Sequence, residues 1–169
     1  MSGDILGLVP AGGKATRFGG TVKEMLPAGE ETFIQRTMRA LSDAGCTRYL
    51  VVSNWQKHVV HVNHLERWQA SYVIQKKPEI WGAVQESFKY TVDRVIMAMP
   101  DTYFPVDGIQ DTGDDLVMGC FETFQPERFG VVYNGRIQDK KQFPMRPYPY
   151  TAWGVLHWSK TVMKFWAYG

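Results

Sequence analysis

Short, continuously apolar runs separated by helix-patterned segments constrain this chain more than any other feature. The runs cover residues 4–10, 49–53 (YLVVS), 72–75 and 94–99 (RVIMAM). A strand that is apolar on both sides must be covered on both sides, which is the character of a parallel strand in an α/β sheet. Between the runs, residues 31–44 place Phe33, Ile34, Met38 and Leu41 on one helical face. Thr32 or Glu30 suits the start of that helix as a cap, and Gly45 suits its stop. Residues 55–68 and 83–92 read as two further helices, with 76–82 (KKPEIWG) as a loop. Such alternation implies right-handed crossovers and a parallel sheet. Ligands of such sheets bind at the carboxyl ends of the strands. That rule sets the turn after the first strand, Gln75 and Asp101 along one edge.

The remaining third is less regular. Residues 114–124 read as a helix that buries Leu116, Val117, Cys120, Phe121 and Phe124. Residues 129–133 and 136–140 read as a hairpin about Asn134-Gly135, a strong two-residue turn signal. Residues 151–158 (TAWGVLHW) read as a strand and 159–168 as a closing amphipathic helix. A length of 169 residues predicts one domain. A hydrophobic content of 44% supports a packed core, and a net charge of +2 implies no broad nucleic-acid or anionic-membrane partner. No apolar run approaches membrane-spanning length, and the start MSGDILGL lacks a secretory pattern, so a cytoplasmic location is expected. Cys46 and Cys120 are far apart and are expected to be reduced, core-type thiols. Six Trp residues leave room for a homo-oligomeric interface.

The chemistry concentrates after the first strand, in residues 8–27 (LVPAGGKATRFGGTVKEMLP). Gly12, Gly13, Gly19 and Gly20 let the backbone approach a ligand closely, and successive amides there form an anion-binding concavity. Lys14, Arg17 and Lys23 add convergent positive charge, with no acid before Glu24. A strand, a glycine-rich turn and cations suit a nucleoside triphosphate; a βα turn with solvated lysines is the alternative. Neither GxxxxGK[ST] nor GxGxxG is met. Asp101 directly follows the fourth apolar run. A carboxylate at a strand end beside phosphates is a natural Mg²⁺ ligand, and an Asp that opens a turn is its rival. His58, His61 and His64 recur every third residue, but steps of three drift around a helix, so a partly exposed face is favoured over a metal site.

The order of these residues resembles the signature of the sugar-1-phosphate nucleotidyltransferases, roughly A-G-G-x-G-T-R, a spacer, then P-K-x-x-L-P. Ala11-Gly12-Gly13, Thr16-Arg17 and Lys23-Glu24-Met25-Leu26-Pro27 carry the match. The KEMLP run looks most like the branch of UTP–glucose-1-phosphate uridylyltransferases and glucose-1-phosphate thymidylyltransferases. Ala15 stands where the family has Gly, Val22 where it has Pro, and the spacer is short. The resemblance is strong through residue 105 and loose to about residue 158. It implies a three-layer, Rossmann-like α/β sandwich with a mostly parallel central sheet. Residues 1–169 would form a single domain, with a nucleotide-binding half (1–105) and a reduced sugar-phosphate half (106–169).

The resemblance also assigns roles. Ala11, Gly12, Gly13, Lys14 and Thr16 bind the nucleotide, with Gly12, Gly13 and Arg17 on its β- and γ-phosphates. Lys23 sits against the α-phosphate and the incoming phosphate. Asp101 holds Mg²⁺. Gln75 and Gly82 select the base, since an amide both donates and accepts. Lys140 or Lys141, in a DKK run where the family has E-K-P, and Gly154 approach the sugar phosphate. A second metal-binding Asp lies later in typical members, which are longer; either Asp107, Asp111 or a neighbour substitutes for it here, or the metal is held by Asp101 and phosphates alone, or the protein does not catalyse. The expected reaction transfers a nucleoside monophosphate from UTP or dTTP to a sugar-1-phosphate with release of pyrophosphate. The alternatives are an inactive nucleotide-binding or regulatory homologue and a cytidylyltransferase.

Overall fold

The computed structural model describes residues 3–13, 22–76, 79–101, 104, 113–126, 130–134, 136–138 and 149–168. In chain order the elements are β1 (Ile5–Pro10), a 3₁₀ turn (Lys23–Met25), β2 (Pro27–Ala28), β3 (Glu31–Thr32), α1 (Phe33–Asp43), β4 (Arg48–Ser53) and α2 (His58–His64). A second 3₁₀ turn (Glu66–Trp68), β5 (Ser71–Ile74), α3 (Ile80–Ser87), β6 (Arg94–Ala98) and β7 (Leu116–Thr123) follow. The described chain closes with β8 (Val131–Tyr133), β9 (Arg136–Gln138), β10 (Tyr150–Ser159) and α4 (Lys160–Tyr168).

The main sheet runs β5-β4-β1-β6-β10-β8-β9, and β7 lies against β10. β1, β4, β5 and β6 are parallel, as their unbroken apolar character requires. Side chains alternate between two cores. Val9, Val51 and Ile96 pack with Ile34, Met38 and Leu41 of α1. Leu6, Leu8, Leu50, Val52 and Met97 pack with Ala83 and Val84 of α3 and Met163 of α4. Helices on both sides of a mostly parallel sheet make the expected three-layer α/β sandwich. β10 runs antiparallel to β6, with Val155 beside Ala98 and Ser159 beside Arg94. No helix among the described residues is long and apolar enough to cross a membrane.

Several expectations need correction. Residues 116–123 form a strand, because β10 offers a paired edge from Thr123 (opposite Tyr150) to Leu116 (opposite Trp158). Gly119, a poor residue inside a helix, allows this pairing: a Cβ there would lie 3.3 Å from Val155 Cβ. Leu116, Phe121 and Phe124 are therefore exposed rather than core, and Cys120 is exposed while Cys46 is buried. Burial pushes the Cys46 thiol up to about 12. The helix expected over 55–68 is broken into α2 and a 3₁₀ turn, which ends at Gln69 with φ +49°. α3 begins at Ile80, so Trp81 and Gly82 lie in a helix and not in a loop.

α1 starts at Phe33 because Glu31 and Thr32 pair with Ala28 and Pro27 in a small hairpin. Thr32 then caps the helix reciprocally. Gln35 N donates to Thr32 Oγ1 at 3.4 Å, and Thr32 N donates to Gln35 Oε1 at 2.9 Å. We expect Thr32→Ala to cost about 1 kcal/mol, seen as a melting temperature lower by roughly 2–4 °C. An unchanged thermal unfolding curve would show that the cap contributes nothing.

Candidate functional site

The carboxyl ends of β1, β4, β5 and β6 deliver the site. The chain leaves β1 through Ala11, whose N–H donates to Val52 O at 2.8 Å and so extends the parallel ladder one step. Gly12 and Gly13 follow. Asn54, at the end of β4, fastens this turn: its Nδ2 donates to Gly12 O at 3.0 Å, while its Oδ1 accepts from Lys57 N at 3.0 Å. Gln75 leaves β5 with its N–H donating to Ser53 O at 2.7 Å. Its side-chain Nε2 donates to Glu79 O at 2.6 Å. A Cβ on residue 12 would sit 2.1 Å from Gln75 Oε1, so glycine is what lets the first turn and Gln75 share this space.

Lys23 and Asp101 meet directly. Lys23 Nζ lies 2.6 Å from Asp101 Oδ2, with side chains 27% and 36% exposed, so the pair is open to an incoming ligand. The next residue supplies the anchor. Glu24 is fully buried, and Lys57 Nζ reaches its Oε1 at 2.9 Å. His61 Nε2 lies 3.1 Å from the same oxygen, and His61 Nδ1 lies 2.8 Å from Ser53 Oγ. An ionised carboxylate only accepts, so Nε2 carries the proton. Burial alone would push the Glu24 carboxyl up, but donation from His61 and Lys57 outweighs it and holds the group below its usual value. Glu24 Oε2 has no hydrogen-bond partner among the described residues.

Two neighbouring cavities follow from this geometry. A small cleft of about 100 Å³ is lined by Gly13, Lys23, Glu24, Lys57, Gln75 and Met99. A wider groove of about 440 Å³ adjoins it through Gly13 and Gln75, and is lined also by Gly12, Asn54, Trp55 and Lys76. A glycine turn, two lysines, a carboxylate and an amide thus converge on one edge, which can neutralise a polyanion and hydrogen-bond a heterocycle.

Of the residues the sequence singled out, Ala11, Gly12, Gly13, Lys23, Gln75 and Asp101 are brought to this edge. Gly82 lies in the first turn of α3, two residues after Ile80 of the small cleft; it is buried, and its N–H donates to Glu79 O at 3.0 Å. Gly154 lies one step before Val155, the partner of Ala98, and so stands near the same end of β6, where the pairing of β10 with β7 shifts register. Lys14, Thr16, Arg17, Lys140, Lys141, Asp107 and Asp111 lie outside the described residues. The three histidines do not form one exposed face. His61 is fully buried, His58 stacks edge-on with Tyr72 and His64 Nδ1 lies 2.9 Å from Val60 O. Among the described residues no group of three or more His, Cys, Asp or Glu side chains is placed to hold a metal ion. Sequence reasoning passed over Asn54 and Lys57, gave Glu24 no role of its own and read His61 as part of a partly exposed face. The spacing of Lys57 and His61, four apart beside a strand-end Ser53, was the available signal.

Removing Glu24 strands a buried ammonium, so Glu24→Ala is expected to cost about 3–5 kcal/mol in urea unfolding, and the double variant Glu24→Leu/Lys57→Met much less. A depressed native pKa means that this contribution is complete above the ordinary glutamate value of 4.5 and is lost as pH falls through the lower native value. The wild type should therefore lose stability in acid more steeply than the double variant. Parallel pH profiles would contradict the ion pair.

No curated protein sequence matches the chain. Its fold is similar to that of a Bacillus anthracis protein assigned as a glucose-1-phosphate thymidylyltransferase, solved with sucrose (TM-score 0.80, 21% identity, 97% of this chain and 75% of that one). It is similar also to the inositol-1-phosphate CTP transferase of T. maritima (TM-score 0.70, 17% identity, 95% and 72%). A UDP-glucose pyrophosphorylase complexed with UDP-glucose is a third likeness (TM-score 0.70, 16% identity, 98% and 80%). Residues 7–109, which carry the glycine turn, Lys23, Gln75 and Asp101, match the MobA-like NTP transferase domain. The chain belongs to the family of MobA-like NTP transferase domains.

Proposed function

We propose that this protein transfers a nucleoside monophosphate from UTP or dTTP to a sugar-1-phosphate and releases pyrophosphate. The observation that carries the reading is the 2.6 Å approach of Lys23 Nζ to Asp101 Oδ2 at the mouth of a cleft shared with Gly13 and Gln75. Residues about eighty positions apart meet where a phosphate loop and its counter-charges are needed. The sugar phosphate as acceptor draws support from what the three structural relatives are named for.

In this reaction an oxygen of the sugar-1-phosphate attacks the α-phosphorus. The bond from that phosphorus to the bridging oxygen breaks, and pyrophosphate leaves with the electron pair. The protein's task is positioning and charge neutralisation. The amides of Gly12 and Gly13, with Arg17, hold the β- and γ-phosphates. Lys23 gives up Asp101 to face the α-phosphate, where two anions must approach each other. Gln75 meets the base with the hydrogen-bonding capacity left after Nε2 binds Glu79 O. Asp101 is a single, part-exposed carboxylate, which fits Mg²⁺ of the kind that takes one or two protein carboxylates and completes its shell with phosphates and water. Bound there, the ion would shield phosphate charge. Lys140, Lys141 and Gly154 are assigned to the sugar phosphate.

The test is pyrophosphate release from UTP, dTTP and CTP, each with Mg²⁺ and a panel of sugar-1-phosphates. Turnover with UTP or dTTP is expected; turnover with CTP alone identifies a cytidylyltransferase. Nucleotide-dependent stabilisation with no pyrophosphate from any pair would replace the reading with that of a binding protein. Lys23→Ala should lower kcat by about 10²–10³-fold and leave stability within about 1 kcal/mol, because its ion pair is exposed. A large fall in melting temperature would make Lys23 structural.

A further inference from the structure

Trp55 is 80% exposed. Tryptophan is highly buried on average, so a Trp held in the open needs a reason. It occupies the turn between β4 and α2, immediately after Asn54. That turn is not loose: Asn54 bonds both Gly12 O and Lys57 N, and Lys57 is locked to buried Glu24. The ring is therefore carried by a braced loop at the wall of the 440 Å³ groove, with Gly12, Gly13, Gln75 and Lys76 as further lining. Every lining side chain there other than the indole is polar or absent. Such a wall fits an occupant with one flat apolar face and hydrogen-bonding edges.

We propose that the Trp55 indole is a stacking shelf for the nucleobase of the bound nucleoside triphosphate. The base lies between Trp55 and Gln75, with its edge toward the Gln75 amide and its phosphates over the Gly12-Gly13 turn. This rests on the nucleotide reading above and adds the residue that supplies affinity for the base without reading its edge. A π face is common to all bases, so the shelf strengthens UTP, dTTP and CTP alike and leaves discrimination among them to Gln75.

The experiment is equilibrium binding of UTP, dTTP, CTP and inorganic tripolyphosphate, with Mg²⁺, to the wild type, Trp55→Ala and Trp55→Phe. The shelf predicts that Trp55→Ala weakens each nucleotide by about 5–150-fold, the range that loss of one base–aromatic stack carries. Tripolyphosphate, having no base, should bind all three proteins equally, and Trp55→Phe should restore most of the nucleotide affinity. Melting temperatures should coincide, since the side chain is exposed. Nucleotide binding to Trp55→Ala at wild-type strength overturns the shelf and leaves the nucleotide reading standing. Equal weakening of tripolyphosphate also overturns it, because Trp55 would then act through the loop. Failure of the wild type to bind any of the four ligands overturns the nucleotide reading and the shelf with it.

Discussion

The site depends on one carboxylate removed from water. Glu24 is buried in the 3₁₀ turn over Lys23–Met25, and two donors from the β4–α2 region meet the same oxygen. A buried charge is tolerated only with partners in good geometry. That requirement admits few backbone paths for the 3₁₀ turn over Lys23–Met25. Lys23 follows from it: once Glu24 faces inward to Lys57 and His61, the preceding side chain is turned to the cleft and Asp101. The buried pair and the exposed pair are thus consecutive in sequence and opposite in character. One fixes the loop at considerable desolvation cost, and the other remains available to exchange partners.

The parallel sheet supplies the remaining geometry. β1, β4, β5 and β6 all point their carboxyl ends the same way, so each connection that leaves the sheet there contributes one element: the glycine turn from β1, Asn54 and Trp55 from β4, Gln75 from β5, Asp101 from β6. The contacts that brace these loops are polar and short, from Asn54 to Gly12 between two of them and from Gln75 to Glu79 within a third. A ligand at this edge is therefore held by loops already braced against one another, which limits the entropy lost on binding. β10, running antiparallel beside β6, brings Gly154 to the same end and joins the two halves of the chain in one sheet.

Much of this was legible in the sequence where a single physical requirement dominated. β1, β4, β5 and β6 had to be apolar on both faces, and they read as such. Thr32, one of two candidate caps, and Gly45 marked the ends of α1, and Asn134 marked the turn that joins β8 to β9. The convergence of the glycine turn, Gln75 and Asp101 followed from topology alone. The failures arose where a distant partner decided. Residues 116–123 carry a spacing compatible with a helix, but β10 offered an edge that no local pattern announces. Gly82 sat in a run that looked like a loop and is the third residue of α3. Glu24 looked like one charge among several until folding placed Lys57 and His61 against it.

The most direct measurement of the central claim is a crystal structure of the protein with a non-hydrolysable UTP analogue. The account predicts the polyphosphate against the Gly12 and Gly13 amides, with Lys23 Nζ moved from Asp101 onto a phosphate oxygen and the Glu24–Lys57–His61 contacts unchanged. A nucleotide bound away from this edge, with Lys23 still paired to Asp101, would contradict it.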